Sequence, residues 1–269
     1  MEPKVYSGLE EFRRDYDATT ERADIRVGGQ LISISASVRV GKPLVVVLHG
    51  RKSENVRLPY LLGENIVKGI DCSRLSISDP SLWMNSDLSL SWFAGNYMMQ
   101  NYQEIQADLV EIVAEACDAS GILFLGGSGG GFAGIEAAGR ITNSRALVWN
   151  PQTSIDKYYR RFVDEYKNIC WPSGMDYGKR NVTDLIENYG KCGSQADRVY
   201  ILQNASDEFH LENHMRPLES ATKADSRFKY FVGSWGDGHV PPPKDVISKT
   251  ISLALSRRDD ELMKTITSL

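Results

Sequence analysis

Long apolar runs, a basic excess and paired cysteines are all missing from this 269-residue chain. No stretch approaches the roughly 20 apolar residues that a membrane-spanning helix needs, so no integral membrane segment is expected. The start, Met1-Glu2-Pro3-Lys4-Val5-Tyr6, lacks the apolar core of a signal peptide, and the expected compartment is the cytoplasm. Lys and Arg number 31 against 35 Asp and Glu, giving a net charge of -4 and a pI of about 5.7. That balance argues against a general affinity for nucleic acid or for an anionic membrane surface. Cys72, Cys117, Cys170 and Cys192 show neither C-x-x-C spacing nor metal-ligating neighbours. Reduced structural thiols are expected; a Cys170–Cys192 bridge is conceivable, but nothing requires it. No internal repeat and no low-complexity linker interrupts the chain. With 42% hydrophobic and 25% charged residues it has an ordinary globular composition and enough length for a sizeable core. A single domain over residues 1–269 is expected.

One stretch concentrates the chemistry. Gly121-Ile122-Leu123-Phe124-Leu125 leads into Gly126-Gly127-Ser128-Gly129-Gly130-Gly131, and Phe132-Ala133-Gly134-Ile135-Glu136-Ala137-Ala138 follows as a small-residue helix. A dinucleotide fingerprint would need a glycine where Phe132 stands, and a phosphate-binding loop would need Gly-Lys-Ser/Thr. Neither is present. Gly126 to Gly130 instead fits G-x-S-x-G, in which a serine sits on a sharp turn between a buried strand and a helix. Flanking glycines let the backbone take that turn and let strand and helix approach closely. The following N–H groups then point at incoming negative charge.

Around this stretch the pattern alternates strands with helices. Ser7-Gly8-Leu9-Glu10 reads as a capping box, with Leu9, Phe12 and Tyr16 on one helical stripe. Leu31 to Val38 alternates as a half-buried strand, in a hairpin with the segment before Gly28-Gly29. Pro43 to Leu48 is an apolar, β-branched run suited to a central parallel strand. Residues 54–68 are weakly helical, and Ile70 to Ile77 reads as the next strand. Residues 78–100 form a long aromatic loop, serving either as a functional wall or as a hydrophobic cover. Ile105, Leu109, Ile112, Val113 and Ala116 mark a helix before the elbow. Strands are also expected at Arg145–Asn150, Arg198–Gln203 and Arg227–Val232, with a closing helix after Pro243. The predicted class is α/β, a doubly wound and mostly parallel sheet. Residues 154–190, rich in aromatics, are expected as a small helical cap or lid.

A serine needs a base to take its proton and an acid to orient that base. Asp207 follows the strand ending at Gln203, where ligand sites gather in open α/β sheets, and Glu208 is the spare candidate. His239 stands alone in Gly233-Ser234-Trp235-Gly236-Asp237-Gly238-His239-Val240-Pro241, after the final strand. His210 and His214 are spaced like a metal pair, but no third ligand is visible. They are expected at the surface or behind the catalytic groups, and no metal is expected. Two N–H groups should hold the oxyanion, that of Gly129 and that of Arg51 in His49-Gly50-Arg51. Trp92, Tyr158 and Tyr159 are the expected substrate-contacting side chains.

With Ser128, Asp207 and His239 in that order, the chain from about residue 24 onward resembles the α/β-hydrolase superfamily. Gly126 to Gly134 followed by Trp149-Asn150-Pro151-Gln152-Thr153 is similar to proteins of bacterial surface-polysaccharide pathways. These include capsule O-acetyltransferase-like proteins and the acetyltransferase component of accessory Sec glycoprotein export. Gly127 departs from the larger residue that many esterases carry there, which leaves the substrate class open. The expectation is a cofactor-free serine acyl-transfer enzyme that acts on an ester or other small-molecule acyl donor. Ester hydrolysis leads; O-acetylation of a glycan is the alternative, and a non-enzymatic assembly protein of a polysaccharide pathway is the rival from another class.

Overall fold

Alternating burial along β2 (Arg22–Val27) and β3 (Gln30–Ser37) folds them into the expected antiparallel hairpin around Gly28-Gly29. The uninterrupted apolar runs become central strands instead: β4 (Leu44–Leu48) and β6 (Ile122–Gly127) are buried on both faces. The computed structural model describes residues 2–173, 175, 177–187 and 195–267. The remaining strands are β1 (Lys4–Tyr6), β5 (Ser73–Ile77), β7 (Ser144–Trp149), β8 (Arg198–Asn204) and β9 (Phe228–Gly233). Among the described residues they form one sheet in the order β1-β2-β3-β5-β4-β6-β7-β8-β9. From β5 through β9 every neighbouring pair is parallel.

That order reverses at β4. The chain moves from β4 outward to β5, then returns to place β6 on the other side of β4. A crevice opens beyond the carboxyl ends of two strands whose connections leave in opposite directions. Two loops therefore meet there, the one following Leu48 and the one following Gly127.

Each face of the sheet carries its own core. One packs Val46, Phe124, Ala146 and Val199 against α1 (Leu9–Asp15), α2 (Tyr102–Ala116), α3 (Gly129–Arg140) and α4 (Arg160–Cys170). Turns at Glu208–His210 and Leu211–Met215 lead into α5 (Arg216–Ala221), which adds Leu218 to the same side. The other packs Val45, Val47, Leu125 and Leu202 against α6 (Lys244–Leu255) and α7 (Asp259–Thr267). Asp259 anchors α7 by pairing with Arg145 at 2.7 Å and Arg198 at 3.1 Å. Burying a large apolar side chain contributes about 1.5–3 kcal/mol, so these two layers dominate the stability of the sheet. Among the described residues no helix is long and apolar enough to cross a membrane.

Two local expectations change, and one open alternative is decided: of the two places expected for His210 and His214, the structure takes the one behind the catalytic groups. The cap of α1 shifts by one residue: Ser7 bonds through both N–H and Oγ to Glu11, not Glu10, and Gly8 takes the cap position. Residues 54–68 form turns rather than a helix. Gly63 there has φ 114, and a Cβ on it would sit 2.7 Å from a Val47 methyl, so the segment presses flat on the sheet. His210 and His214 are fully buried, because the turns after Asp207 fold back beneath the loop that carries His239. Cys72, Cys117 and Cys170 are buried free thiols. Cys192, and with it the conceivable bridge to Cys170, lies outside the described residues, as do positions 188–190 of the expected cap. In the described part of that segment, Ile155, Val163, Tyr166, Val182 and Leu185 join the main core.

Candidate active site

Ser128 occupies the turn between β6 and α3 with φ 56 and ψ -122, a conformation that costs a non-glycine residue about 1–3 kcal/mol. The surroundings hold it there. Its N–H donates to the Trp149 carbonyl at 3.0 Å, and its own carbonyl accepts from Gly131 and Phe132 in the first turn of α3. Close packing explains the glycines. A Cβ on Gly126 would collide with the Gly130 carbonyl, and one on Gly130 with the Leu48 carbonyl. At Gly127 a side chain would run into the Trp149 indole, which accounts for a glycine where many esterases carry a larger residue.

Asp207 and His239 come together from the ends of β8 and β9. Asp207 Oδ2 accepts from His239 Nδ1 at 2.5 Å, and Oδ1 accepts from His210 Nδ1 at 2.9 Å. Burial pushes the Asp207 carboxyl up, but the two imidazole donors outweigh it and hold the group well below the usual carboxylate range. Asp207 is thus the carboxylate that pairs with His239, and among the described residues neither Glu208 nor Asp237 bonds to that ring. The histidine loop is pinned by two asparagines. Asn204 Nδ2 donates to the carbonyls of Gly236 and Gly238 at 2.8 and 2.7 Å, and Asn150 Nδ2 donates to Val240 at 2.8 Å.

Asp207, His210 and His239 lie within metal-ligand spacing of one another. Both imidazoles spend Nδ1 on separate oxygens of one carboxylate, and their rings stack 4.1 Å apart at 24°. Lone pairs on near-parallel stacked rings do not converge on one point, as a coordination sphere requires. The cluster fits a hydrogen-bonded relay.

On the opposite side of Ser128, Gly50 is packed so closely that a Cβ there would lie 3.0 Å from the Gly127 oxygen and 3.5 Å from Ser128 Cβ. His49 orients this peptide. Its Nε2 accepts from the Asp79 N–H at 3.0 Å, so Nδ1 carries the proton and donates to the Gly50 carbonyl at 2.8 Å. Burial lowers the His49 pKa to about 4, which keeps that tautomer neutral. In a trans peptide the N–H points away from the carbonyl, so the bond from His49 turns the Arg51 N–H away from the buried side. Among the described residues the N–H groups of Arg51 and Gly129 are without a hydrogen-bond acceptor.

Ser128, His239 and Arg51 line one cleft of about 630 Å³, within the range of small-molecule sites. Its walls are aromatic and aliphatic: Tyr60, Leu62, Trp149, Tyr158, Tyr159 and Phe162. The Arg51 guanidinium lies 5.1 Å over the Phe162 ring, and Tyr159 stacks on Phe209 at 4.1 Å. No hydrogen bond joins His239 to Ser128 here. Ser128 Oγ instead accepts from Gln152 Nε2 at 2.8 Å.

Trp92 stands elsewhere than expected. It is fully buried behind the cleft, edge-on to Tyr158 and Tyr166, and its indole N–H donates to Gln152 Oε1. The long loop therefore supports the site from behind. Trp92 and Phe93 both have φ near +54, held by Asp79, whose Oδ2 accepts from the Phe93 N–H at 2.6 Å and Ser91 Oγ at 2.7 Å. Sequence reasoning missed Gln152, Asp79, Asn150, Asn204 and the carboxylate bond of His210. The one signal available was position, since each stands at or soon after the carboxyl end of a parallel strand.

No family model matches the chain, and no curated protein matches it. Solved structures do. The capsule O-acetyltransferase of Neisseria meningitidis serogroup A superposes with a TM-score of 0.63 at 12% identity, over 89% of this chain and 99% of that one. A histidine-to-alanine mutant of the same enzyme, in complex with CoA, gives 0.58 at 11% identity, over 90% and 97%. An S-formylglutathione hydrolase from Agrobacterium tumefaciens gives 0.54 at 12% identity, over 89% and 98%. At these identities the likeness shows the fold: the chain has the α/β-hydrolase fold.

Proposed function

We propose that the chain is a serine-nucleophile acyl-transfer enzyme whose leading activity is ester hydrolysis. The observation that carries this reading is the strained elbow serine sharing one cleft with a histidine bonded to a buried carboxylate. His239 takes the Ser128 Oγ proton at Nε2 as Oγ bonds to the carbonyl carbon of the ester. Asp207 holds the other ring nitrogen and stabilises the imidazolium. The free N–H groups of Gly129 and Arg51 receive the oxyanion. Collapse breaks the C–O bond, and the departing alcohol takes the proton from His239. Water then attacks the acyl-enzyme, passes a proton to His239, and Ser128 leaves reprotonated. Resting hydrogen bonds at such sites often tighten only with substrate, so the missing His239–Ser128 bond is compatible with this sequence.

A second reading, transfer of the acyl group to a hydroxyl, draws on two observations. Tyr159 is half exposed and stacked on Phe209 at the cleft wall, a flat platform suited to a sugar face. The O-acetyltransferase that shares the fold has been captured with CoA, which makes a thioester a reasonable donor. A single domain with residues 154–190 as cap, and a cytoplasmic setting suited to the buried free thiols, belong to the same proposal.

The test pairs a fluorophosphonate probe with Ser128→Ala. Wild type should be labelled and should release acetate from activated acetyl esters. Ser128→Ala should lose labelling and on the order of 10³-fold or more of turnover. Wild-type labelling or turnover in that variant refutes the nucleophile. Acetylated glycan formed well beyond its concentration relative to water would replace hydrolysis with the second reading.

A further inference from the structure

Asp207 is shared by two histidines that both line the serine's cleft, of which only His239 has a substantially exposed side chain. His210 is 1% exposed, and its Nδ1 donates to Oδ1 while His239 occupies Oδ2. Its ring stacks on His239 at 4.1 Å. Its Nε2 is buried with no hydrogen-bond partner among the described residues. A ring donor on each oxygen leaves the carboxylate one orientation, whereas without the His210 ring Oδ1 keeps the long 3.4 Å bond from the His210 backbone N–H, which holds it less firmly. We propose that His210 is a positioning residue for the catalytic acid, locking the Asp207 carboxylate so that Oδ2 faces His239 and sharing the carboxylate's charge between two imidazoles. This inference rests on the acyl-transfer reading.

The arrangement works only while His210 stays neutral. Charging it would set two cations face to face whenever His239 carries the serine's proton. The groups that surround it decide this. Asp207 favours the charged ring, and Glu208 is its neighbour in the chain. His214 lies 5.4 Å away by ring centroids, Tyr158 of the expected cap segment 5.8 Å, and His239 comes from the loop after β9. Lys157 adds a positive charge on the His214 side. Burial prevails and lowers the His210 pKa, with the bond to Asp207 opposing it. A neutral His210 with Nδ1 protonated keeps its lone pair on Nε2, turned away from the carboxylate. It donates to Asp207, and what separates it from His239 is burial, since its Nε2 is enclosed while the His239 side chain is 41% exposed.

Two substitutions separate the donor from the ring. His210→Phe keeps an aromatic face against His239 and removes the donor. His210→Asn keeps an N–H at nearly the Nδ1 position and removes the ring. His210→Phe should lower kcat by about 10- to 100-fold with KM within about twofold, because a base displaced by a fraction of an ångström transfers its proton poorly. The acid limb of kcat/KM should move up by about half a pH unit or more, since the undivided carboxylate charge then acts on His239 alone. His210→Asn should recover most of the lost kcat. Unchanged kcat and acid limb in a folded His210→Phe protein would overturn the proposal.

A second measurement needs no turnover. Proton NMR of the wild-type protein should show two low-field Nδ1–H resonances, one per imidazole on Asp207. His210→Asn, the milder change, should lose one and shift the other. A single such resonance in wild type, or a remaining one that does not shift, also overturns the proposal. This result is independent of whether Ser128 is the nucleophile, so a failed acyl-transfer reading and a failed role for His210 remain distinguishable.

Discussion

Lowering the pH from 7.5 to 5 should destabilise the fold through histidines that are buried neutral. Burial lowers His214 to a pKa of about 3 and His49 to about 4. In the unfolded chain both titrate near 6.5. A folded pKa below the unfolded one means that the unfolded state binds more protons between the two values, so stability rises with pH. The contribution is complete above about pH 6.5 and is lost as pH falls toward 4 for His49 and 3 for His214. Integrating the proton difference from pH 7.5 to 5 gives a loss of about 2 kcal/mol for each residue, a large part of a typical domain's stability. Asp79 and Glu136, raised by burial, act in the opposite sense, so the total alone is not diagnostic. The comparison that isolates one histidine is His214→Asn. Thr153 donates its N–H to His214 Nδ1 at 3.2 Å, and an asparagine oxygen offers an acceptor at nearly that position without titrating. Urea unfolding followed by tryptophan fluorescence at both pH values gives the four stabilities. Wild type should lose about 2 kcal/mol more than the variant over this interval. Equal losses would refute the claim that His214 is buried neutral.

Other substitutions test the site's separate parts. Asp207→Asn should cut kcat by about 10³-fold or more by favouring the wrong His239 tautomer, with stability measured alongside to show that the fold survives. Gln152→Glu keeps an acceptor for the Trp92 N–H but replaces the donor to Ser128 Oγ with a negative charge; steady-state kinetics should show kcat falling about 10²-fold or more, KM changing little. Among the described residues Arg51 is the one Lys, Arg, Asp or Glu lining the cleft, so Arg51→Glu should lower the kcat/KM ratio for anionic over neutral esters by about tenfold, read from matched ester pairs.

The legible part of the sequence was the part with a local period or a local constraint. Apolar runs such as Leu44–Leu48 and Ile122–Leu125 have no solution except a strand buried on both faces, and the elbow glycines exclude every residue with a Cβ. Ser128, Asp207 and His239 could be ordered along the chain because strand ends are where such a sheet exposes side chains. Residues 54–68 misled because their weak helical pattern carried no hint that Gly63 must press against Val47, a contact made only in the folded chain. Trp92 misled for a related reason. An aromatic in a long loop looks the same whether it faces a ligand or backs a glutamine. Asn150 and Gln152 lay in the segment that carried the resemblance and Asn204 at a strand end, but nothing local gave them a role, since their partners are groups far along the sequence.

The four histidines show how burial, rather than spacing, assigns roles. All four lie at or just behind the cleft, yet three are fully buried and each has a fixed partner. His49 holds the Gly50 carbonyl, His214 accepts from the Thr153 N–H, and His210 donates to Asp207. Charging His49 or His214 would put a donor where each now accepts from a backbone N–H, breaking the bond that the fold depends on. Charging His210 would crowd a second cation against His239. A base that gains and loses a proton in every turnover cannot carry such a penalty. His239 and His210 both bond Asp207 and both line the serine's cleft, but of the four rings His239 alone has a side chain substantially exposed, at 41%. On the proposed function, burial leaves His239 as the ring best able to cycle a proton, while the other three fix the peptide, the strand end and the carboxylate around it.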